Sequence, residues 1–305
     1  MAYTGNTTPN VGTDTSNDLT RDITLDVLQA FERKVRFMDL IRVDTIPAGS
    51  AAGSFIIEGK EDATDGALAE YPAGTQVNVN NGTQDEIIIP LDRPQYESRR
   101  VDKWKETVAR YDTVAMNVRQ LGTRLANAID RKVAAAIEAS SLATGLVANG
   151  DGTVIVNAGI VIPMTDPEAT GKAFAQAIYA GIAAMRENDV EEEAFVACSP
   201  TLYSALPQAL ITIDSDYTSG NGGYDIGEVK MVGGARVFTS NNIPATTNLE
   251  ALMFTSEAAG MAKLWDVTID INEQPEFLNA KLINAYFSNG VSALRPQCAI
   301  SIKSA

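Results

Sequence analysis

The chain has 305 residues, of which 45% are hydrophobic, carries a formal net charge of −15 and contains no histidine. It is long enough for two cores or one large one, and no apolar run approaches the ~20 residues of a membrane span. Without imidazole it lacks the commonest general base, the commonest metal ligand and every Ser/His or Cys/His nucleophile, and its acidity opposes tight wrapping around nucleic acid.

Residues 1–18 hold almost no aliphatic side chains and read as a flexible arm. They show neither the basic head nor the apolar stretch of a signal peptide. From Leu19 to Leu40 the residues Leu25, Val27, Leu28, Phe31, Val35, Met38 and Leu40 form a helical pattern, with Thr20 placed to cap its start. Between Thr45 and Asp102 the pattern turns to short strands, clearest at Phe55–Ile57 and Glu86–Ile89. The intervening Gly/Asn-rich stretch predicts a two-stranded ribbon, which is marginal in water by itself and needs support, most simply from a neighbouring subunit.

Thr107 to Ser141 is the longest regular pattern. Val108, Tyr111, Ala115, Val118, Leu121, Leu125, Ile129, Val133 and Ile137 make one apolar stripe. Arg110, Asp112, Asn117, Arg119, Arg124, Asn127, Asp130, Arg131 and Glu138 fall on the other face, which is expected to be wet. At 1.5 Å per residue such a helix is roughly 50 Å long, a strut better suited to an extended tile than to a compact enzyme.

Beyond a Gly/Asn turn region lie a short strand at Val154–Val156, a helix over about Thr170–Asn188 and a buried strand at Phe195–Cys198. A short helix then starts at Pro200, a position where proline is tolerated. This alternation indicates an α/β layer. Asp214–Gly227 reads as a polar loop. The last third is mostly β, with strands at Ala235–Phe238 and Ala251–Phe254 after the Gly233-Gly234 turn. Val267, Ile269 and Ile271 alternate with Asp266, Thr268, Asp270 and Asn272 as a half-buried strand does. Leu278–Ala293 fits helix and strand alike, and Cys298–Ile302 is strand-like. Cys198 and Cys298 have no CxxC neighbour and are expected to be buried, reduced thiols.

No phosphate loop or GxGxxG fingerprint occurs. Asp214, Asp216, Thr218 and Asp225 approach a calcium loop, but Ser219 stands where glycine is required and Asp225 where a bidentate Glu is expected. Glu191-Glu192-Glu193 diverge as consecutive residues do and read as a solvated face. Arg99, Arg100, Lys103 and Lys105 beside Trp104 have the composition of a nucleic-acid patch, weighed against simple contact with acidic neighbours. No catalytic, cofactor or metal site assembles, so the expectation is of a protein that is not an enzyme.

The order of parts resembles the major capsid proteins of tailed bacteriophages with the Hong Kong 97 fold, most closely those of short-tailed, T-seven-like phages. Ser199-Pro200-Thr201-Leu202-Tyr203-Ser204-Ala205-Leu206 is similar to the family's helix after the central strand. Val232-Gly233-Gly234-Ala235-Arg236-Val237 resembles its following Gly-plus-strand, and Ala259-Gly260-Met261-Ala262-Lys263-Leu264 the run into a long strand. Ala293-Leu294-Arg295-Pro296, followed by Cys298–Ile302, resembles its closing segment and implies that Leu278–Leu294 is a long strand.

The resemblance implies an α+β, Hong Kong 97-like fold: an N-terminal arm (1–18), an N-terminal helix region (19–47), an extended β-hairpin loop (48–102) and a spine helix (103–142). It continues with an axial α/β domain (143–262), peripheral strands (263–296) and a closing axial strand (297–305). It further implies a virion protein made in the host bacterial cytoplasm, self-assembling into pentamers and hexamers of an icosahedral shell. The shell would enclose double-stranded DNA without sequence-specific binding and without a membrane, with a scaffolding protein, a portal and a decoration protein as candidate partners. Intersubunit contacts are then expected at Phe55, Ile57, Lys60, Glu61, Tyr71, Ile87 and Ile89 of the ribbon, at Arg99, Arg100 and Trp104 at its foot, and at Asp216 and Tyr217 of an axial tip. Some family members crosslink a loop Lys to a distant Asn; Lys60 lies in the loop, but no acceptor can be placed. The rival readings are an encapsulin-like compartment that packages protein and an α/β enzyme with a carboxylate-based site.

Overall fold

The computed structural model describes residues 27, 35–47, 52–58, 84–108, 113–142, 160–162, 164, 166–188, 190–209, 222–223, 228–244, 248–277 and 279–304. In chain order the strands are β1 (Arg42–Thr45), β2 (Ala52–Glu58), β3 (Gln84–Pro90), β4 (Gln95–Val101), β5 (Ile160–Ile162), β6 (Phe195–Cys198), β7 (Gly222–Gly223), β8 (Glu228–Val229), β9 (Met231–Val232), β10 (Ala235–Thr239), β11 (Leu249–Phe254), β12 (Ala259–Gln274), β13 (Ala280–Ala293) and β14 (Ala299–Ser304). The helices are α1 (Lys103–Val108), α2 (Thr113–Leu142), α3 (Pro167–Glu187) and α4 (Pro200–Ala205). The chain divides into two compact units, residues 1–35, 93–129 and 265–288 in one, and residues 36–92, 130–264 and 289–305 in the other.

In the second unit a six-stranded sheet runs in the order β5-β14-β11-β6-β10-β9. β10 lies parallel to β6 and β14 parallel to β5, while β11 is antiparallel to both β6 and β14. The local sequence explains the elements around it. Pro200 opens α4 while the Ser199 hydroxyl accepts the amide of Leu202, a cap that contributes about 1 kcal/mol. Gly233 and Gly234, at φ 62° and 94°, turn β9 into β10 in the left-handed region that glycine occupies without cost. Phe174 and Ile178 of α3, with Leu202 and Leu206, pack on Val196, Met253, Ile300 and Ile302 of the sheet. A ring cluster lies nearby, with Phe37 5.5 Å from Phe238 and 5.8 Å from Phe254.

The other sheet has the order β1-β12-β13-β4. In the second unit β1 runs parallel to β12, pairing Arg42 with Gly260 through Thr45 with Lys263. In the first unit β13 pairs antiparallel with β4, from Lys281↔Val101 to Phe287↔Gln95. The ambiguous stretch is strand from Ala280 to Ala293, where Ile283, Ala285 and Phe287 are buried in strict alternation. The expected ribbon is present as antiparallel β2–β3, with Phe55 opposite Ile87; residues 59–83 lie outside the described ones.

Three expectations need adjustment. The long helix is described from Thr113 to Leu142 and the start of its expected range falls in α1 (Lys103–Val108), with residues 109–112 between them outside the described ones. Of the first helical pattern only Val27 is described as helical; the chain then forms a single 3₁₀ turn at Met38–Leu40 and enters β1, a strand whose four exposed residues gave no alternation to detect. The polar face of α2 is not wet throughout. Arg119 and Arg131 are exposed as expected, but Asp130 is 1% exposed and Glu138 is buried, since the helix beyond Ile129 is covered over a wider arc than before it. The strand read at Val154–Val156 lies outside the described residues.

Candidate functional site

The ribbon is rooted in its own chain. Along β3 the side chains alternate: Ile89 is fully buried with Ile46, Ala262 and Leu294, Ile87 is half-buried beside them, and Ile88 is 63% exposed. Ile89, expected as an intersubunit contact, is thus committed to the root of the ribbon; its burial here leaves nothing of it for a neighbour. Two further features fix the root. A Cβ on Gly290 would stand 2.2 Å from the Pro90 carbonyl oxygen, so only glycine lets β13 pass this close to the returning strand. Lys132 Nζ donates to the Asn289 backbone oxygen at 2.8 Å and to its Oδ1 at 2.7 Å, and pairs with Asp92 Oδ2 at 2.6 Å. Beyond this root, Phe55 and Ile57 lie in β2 across from Ile87 and Asp85. Lys60, Glu61, Tyr71, Asp216 and Tyr217 lie outside the described residues.

At the foot of the ribbon the basic residues face carboxylates. Arg99 Nε is 3.3 Å from Glu97 and Arg100 Nε 3.4 Å from Asp102, while the Arg100 guanidinium lies 4.3 Å from the centre of the Phe277 ring. Arg124 of α2 also pairs with Glu97, and Lys281 with Glu106 at 3.1 Å. Arg99 and Arg100 of this patch thus have acidic neighbours within the chain. Trp104 is 75% exposed beside it. Between the edge strand β4 and α2 opens a cleft of about 380 Å³ over Leu125, Ala128 and Phe287.

The acidic run behaves as a surface. Glu193 pairs with Arg236 at 2.5 Å and Glu192 accepts the Ser256 hydroxyl at 2.9 Å. Among the described residues no group of three or more acidic or cysteine ligands could hold a metal, and no helix is long and apolar enough to cross a membrane. Cys198, at the end of β6, and Cys298, in the 3₁₀ turn before β14, are both buried and free. Burial pushes their thiols up to about 12 and about 11, far from the thiolate that nucleophilic chemistry needs.

One residue that sequence reasoning misplaced organises this unit. Asp130 of α2 accepts the backbone amides of Arg36 and Phe37 at 3.2 Å and, at 3.5 Å, the side-chain amide of Asn242. Desolvation raises its carboxyl above the usual range, against the pull of these donors. Helical periodicity offered no signal for it, because its partners lie 93 to 112 residues away in sequence.

Comparison with known proteins follows the same lines. The chain is similar to a chain of the capsid of cyanophage P-SCSP1u, with 25% identity, a TM-score of 0.73 and coverage of 89% of this chain and 88% of that one. It is similar to the mature capsid of bacteriophage PhiM1 (16% identity, TM-score 0.69, coverage 88% and 87%). A virus-like particle from Pyrococcus furiosus shares the fold at 12% identity and a TM-score of 0.55, with 93% and 98% covered. No curated protein matches. The mixed α+β architecture is that of phage capsids of the Hong Kong 97 type. A family model described as Gp10A-like major capsid protein matches residues 98–303, well over half of the chain. From Ser98 at the foot of the ribbon to Lys303 in the closing strand, the chain belongs to the Gp10A-like family of phage major capsid proteins.

Proposed function

We propose that this capsid protein assembles into pentamers and hexamers of an icosahedral shell that encloses double-stranded DNA, and that its nearest kin are the short-tailed, T-seven-like phages. The observation that carries the reading is the family match across residues 98–303, beside the 25% identity with the cyanophage capsid chain. The net charge of −15 suits a container that must hold a polyanion without sticking to it. In this reading residues 1–18 are an arm, 48–102 the loop that overlies an adjacent subunit, 103–142 the spine helix, 143–262 with 297–305 the axial domain, and 263–296 the peripheral strands. The contacts between subunits are assigned to Phe55, Ile57, Lys60, Glu61, Tyr71 and Ile87 on the loop, to Arg99, Arg100 and Trp104 at its foot, and to Asp216 and Tyr217 at an axial tip. A scaffolding protein, a portal and a decoration protein complete the partners, and the host cytoplasm is the place of synthesis.

The ribbon supports the loop assignment physically. A two-stranded ribbon holds itself poorly in water, yet this one is clamped at its root by Ile89, Gly290 and Lys132 and presents Ile88 outward. Removing residues 56–88 therefore leaves folded subunits that cannot join, and electron microscopy of the purified protein reads this directly. Closed shells from the deletion would overturn the loop assignment; absence of shells from the intact chain would overturn the shell itself. The likeness to the Pyrococcus particle carries the fold alone and gives an encapsulin-like compartment no separate support.

A further inference from the structure

Lys132 does more than close the root of the ribbon. Its Nζ stands 2.7 Å from Asn289 Oδ1, 2.8 Å from the Asn289 backbone oxygen and 2.6 Å from Asp92 Oδ2, so each of the three ammonium protons has an acceptor. An ion pair alone needs only the aspartate. Here an amine, the carbonyl carbon of a carboxamide and a carboxylate meet at one point, brought there by α2, by β13 and by the segment that follows β3. Lys132 and Asn289 are 157 residues apart in sequence.

The carboxamide is fixed at both ends. Its Nδ2 points at the Met261 sulfur, 3.8 Å away, which leaves Oδ1 to the lysine. Asn289 is 4% and Met261 1% exposed, and the Lys132 side chain keeps 20% of its surface in water, so little solvent competes for the carbonyl carbon. With Nζ 2.7 Å from Oδ1, an ordinary hydrogen-bond angle puts the nitrogen about 3.5 Å from Cγ, at the edge of the range from which bonds form. The Asp92 side chain is 53% exposed and can exchange protons with solvent between steps.

We propose that Lys132 and Asn289 join in an isopeptide bond within one subunit, with Asp92 as the proton carrier. Asp92 takes a proton from the Lys132 ammonium, and the freed amine attacks Asn289 Cγ to form the Nζ–Cγ bond. Asp92 returns that proton to Nδ2, the Cγ–Nδ2 bond breaks and ammonia leaves. The remaining extra proton on Nζ passes through Asp92 to the departing ammonia. An ammonium and a carboxamide thus become a secondary amide and an ammonium ion, with no change of oxidation state. The bond uses neither Lys60 of the loop nor a neighbouring copy. It ties α2 to β13 inside a free subunit, so it stands independently of the shell reading, and it restricts the unfolded chain as any crosslink over a long loop does.

The test uses the full chain, purified and held folded overnight. Its intact mass should be lower than its sequence requires by one ammonia, and trypsin should release a branched peptide joining Lys132 to Asn289, uncut after Lys132. Lys132→Arg keeps the cation without the attacking amine, so the branched peptide and the mass deficit should both vanish. Asp92→Asn still accepts from Lys132 but cannot carry its proton, and should lower the fraction joined at a fixed time about tenfold or more. Circular dichroism checks the folding of each variant; should one unfold, the unmutated chain decides alone. Full mass and no branched peptide in the unmutated chain overturn the proposal and leave an ion pair only. An ammonia loss at Asn289 that persists in Lys132→Arg is a succinimide at Asn289-Gly290 and overturns it too. Full joining in folded Asp92→Asn overturns the part given to Asp92.

Discussion

Asp130 allows the sharpest test of how this chain holds itself together. Asp130→Ala would remove the acceptor for two amide donors, those of Arg36 and Phe37, in a site where the aspartate is 1% exposed. Each buried, unsatisfied N–H costs about 1–3 kcal/mol. Against this stands relief from burying a carboxylate, whose raised pKa shows that the fold opposes the charge. The net expectation is a loss of about 2–4 kcal/mol, or roughly 4–8 °C in a thermal melt of unassembled subunits at about 2 °C per kcal/mol for a chain of this size. Asp130→Asn is the control that separates the two contributions. Its carboxamide oxygen can still accept both backbone amides, and Asn242 can turn its own amide to meet the new donor; its cost should therefore stay within about 1 kcal/mol. The pH dependence has a definite sign. Because the folded pKa lies above the unfolded value, the contribution of Asp130 is fully present below the unfolded pKa of 3.8 and is lost as pH rises through the folded pKa. The stability of the native chain relative to Asp130→Asn should accordingly grow as pH is lowered through the raised pKa towards 3.8. Asp130→Ala melting within about 1 °C of the native chain, or a difference from Asp130→Asn that shrinks as pH falls, would refute the reasoning.

Gly290→Ala places a methyl group 2.2 Å from the Pro90 oxygen, far inside contact distance, so β13 and the returning strand must part. Hydrogen exchange at residues 84–92 should rise by about tenfold or more while the six-stranded core stays protected, since local opening need not spread; unchanged exchange there would remove the close approach from the account of the root. Cys198 and Cys298, with thiols at about 12 and about 11, should react with a thiol reagent at pH 8 only after denaturant is added. Rapid modification of the native subunit would mean that the end of β6 or the turn before β14 opens readily.

Local signals located most of this fold. Phe195–Cys198 was readable as a strand and Pro200 as the start of a helix because capping, proline chemistry and a short apolar run act over a few residues. The alternation around Ile269 and the helical stripe of α2 were legible for the same reason. What the sequence could not disclose depends on distant partners. Asp130 looks like a surface residue until Arg36, Phe37 and Asn242 come to it, and Ile89 looks like an exposed ribbon residue until Ile46, Ala262 and Leu294 close over it. The grouping of Tyr96, Tyr286 and Trp265 stayed hidden for a related reason, since they become neighbours only when β4, β13 and β12 pair.

The residues of the core and of the surface divide by what they can touch. Ile89, Gly290, Lys132 and Asp130 are occupied within the subunit and fix where its strands and ribbon leave the core. The outward-facing Ile88, Tyr96, Trp104 and Trp265 carry apolar area that a subunit by itself leaves in water. At about 25 cal/mol per Å², leaving such area bare favours association, and repetition over many subunits turns weak contacts into a closed assembly. Substitutions in the first set should therefore lower the melting temperature of free subunits, whereas those in the second should leave it nearly unchanged and act on assembly. A substitution at Tyr96 or Trp265 that melted the free subunit as severely as Asp130→Ala would break that division.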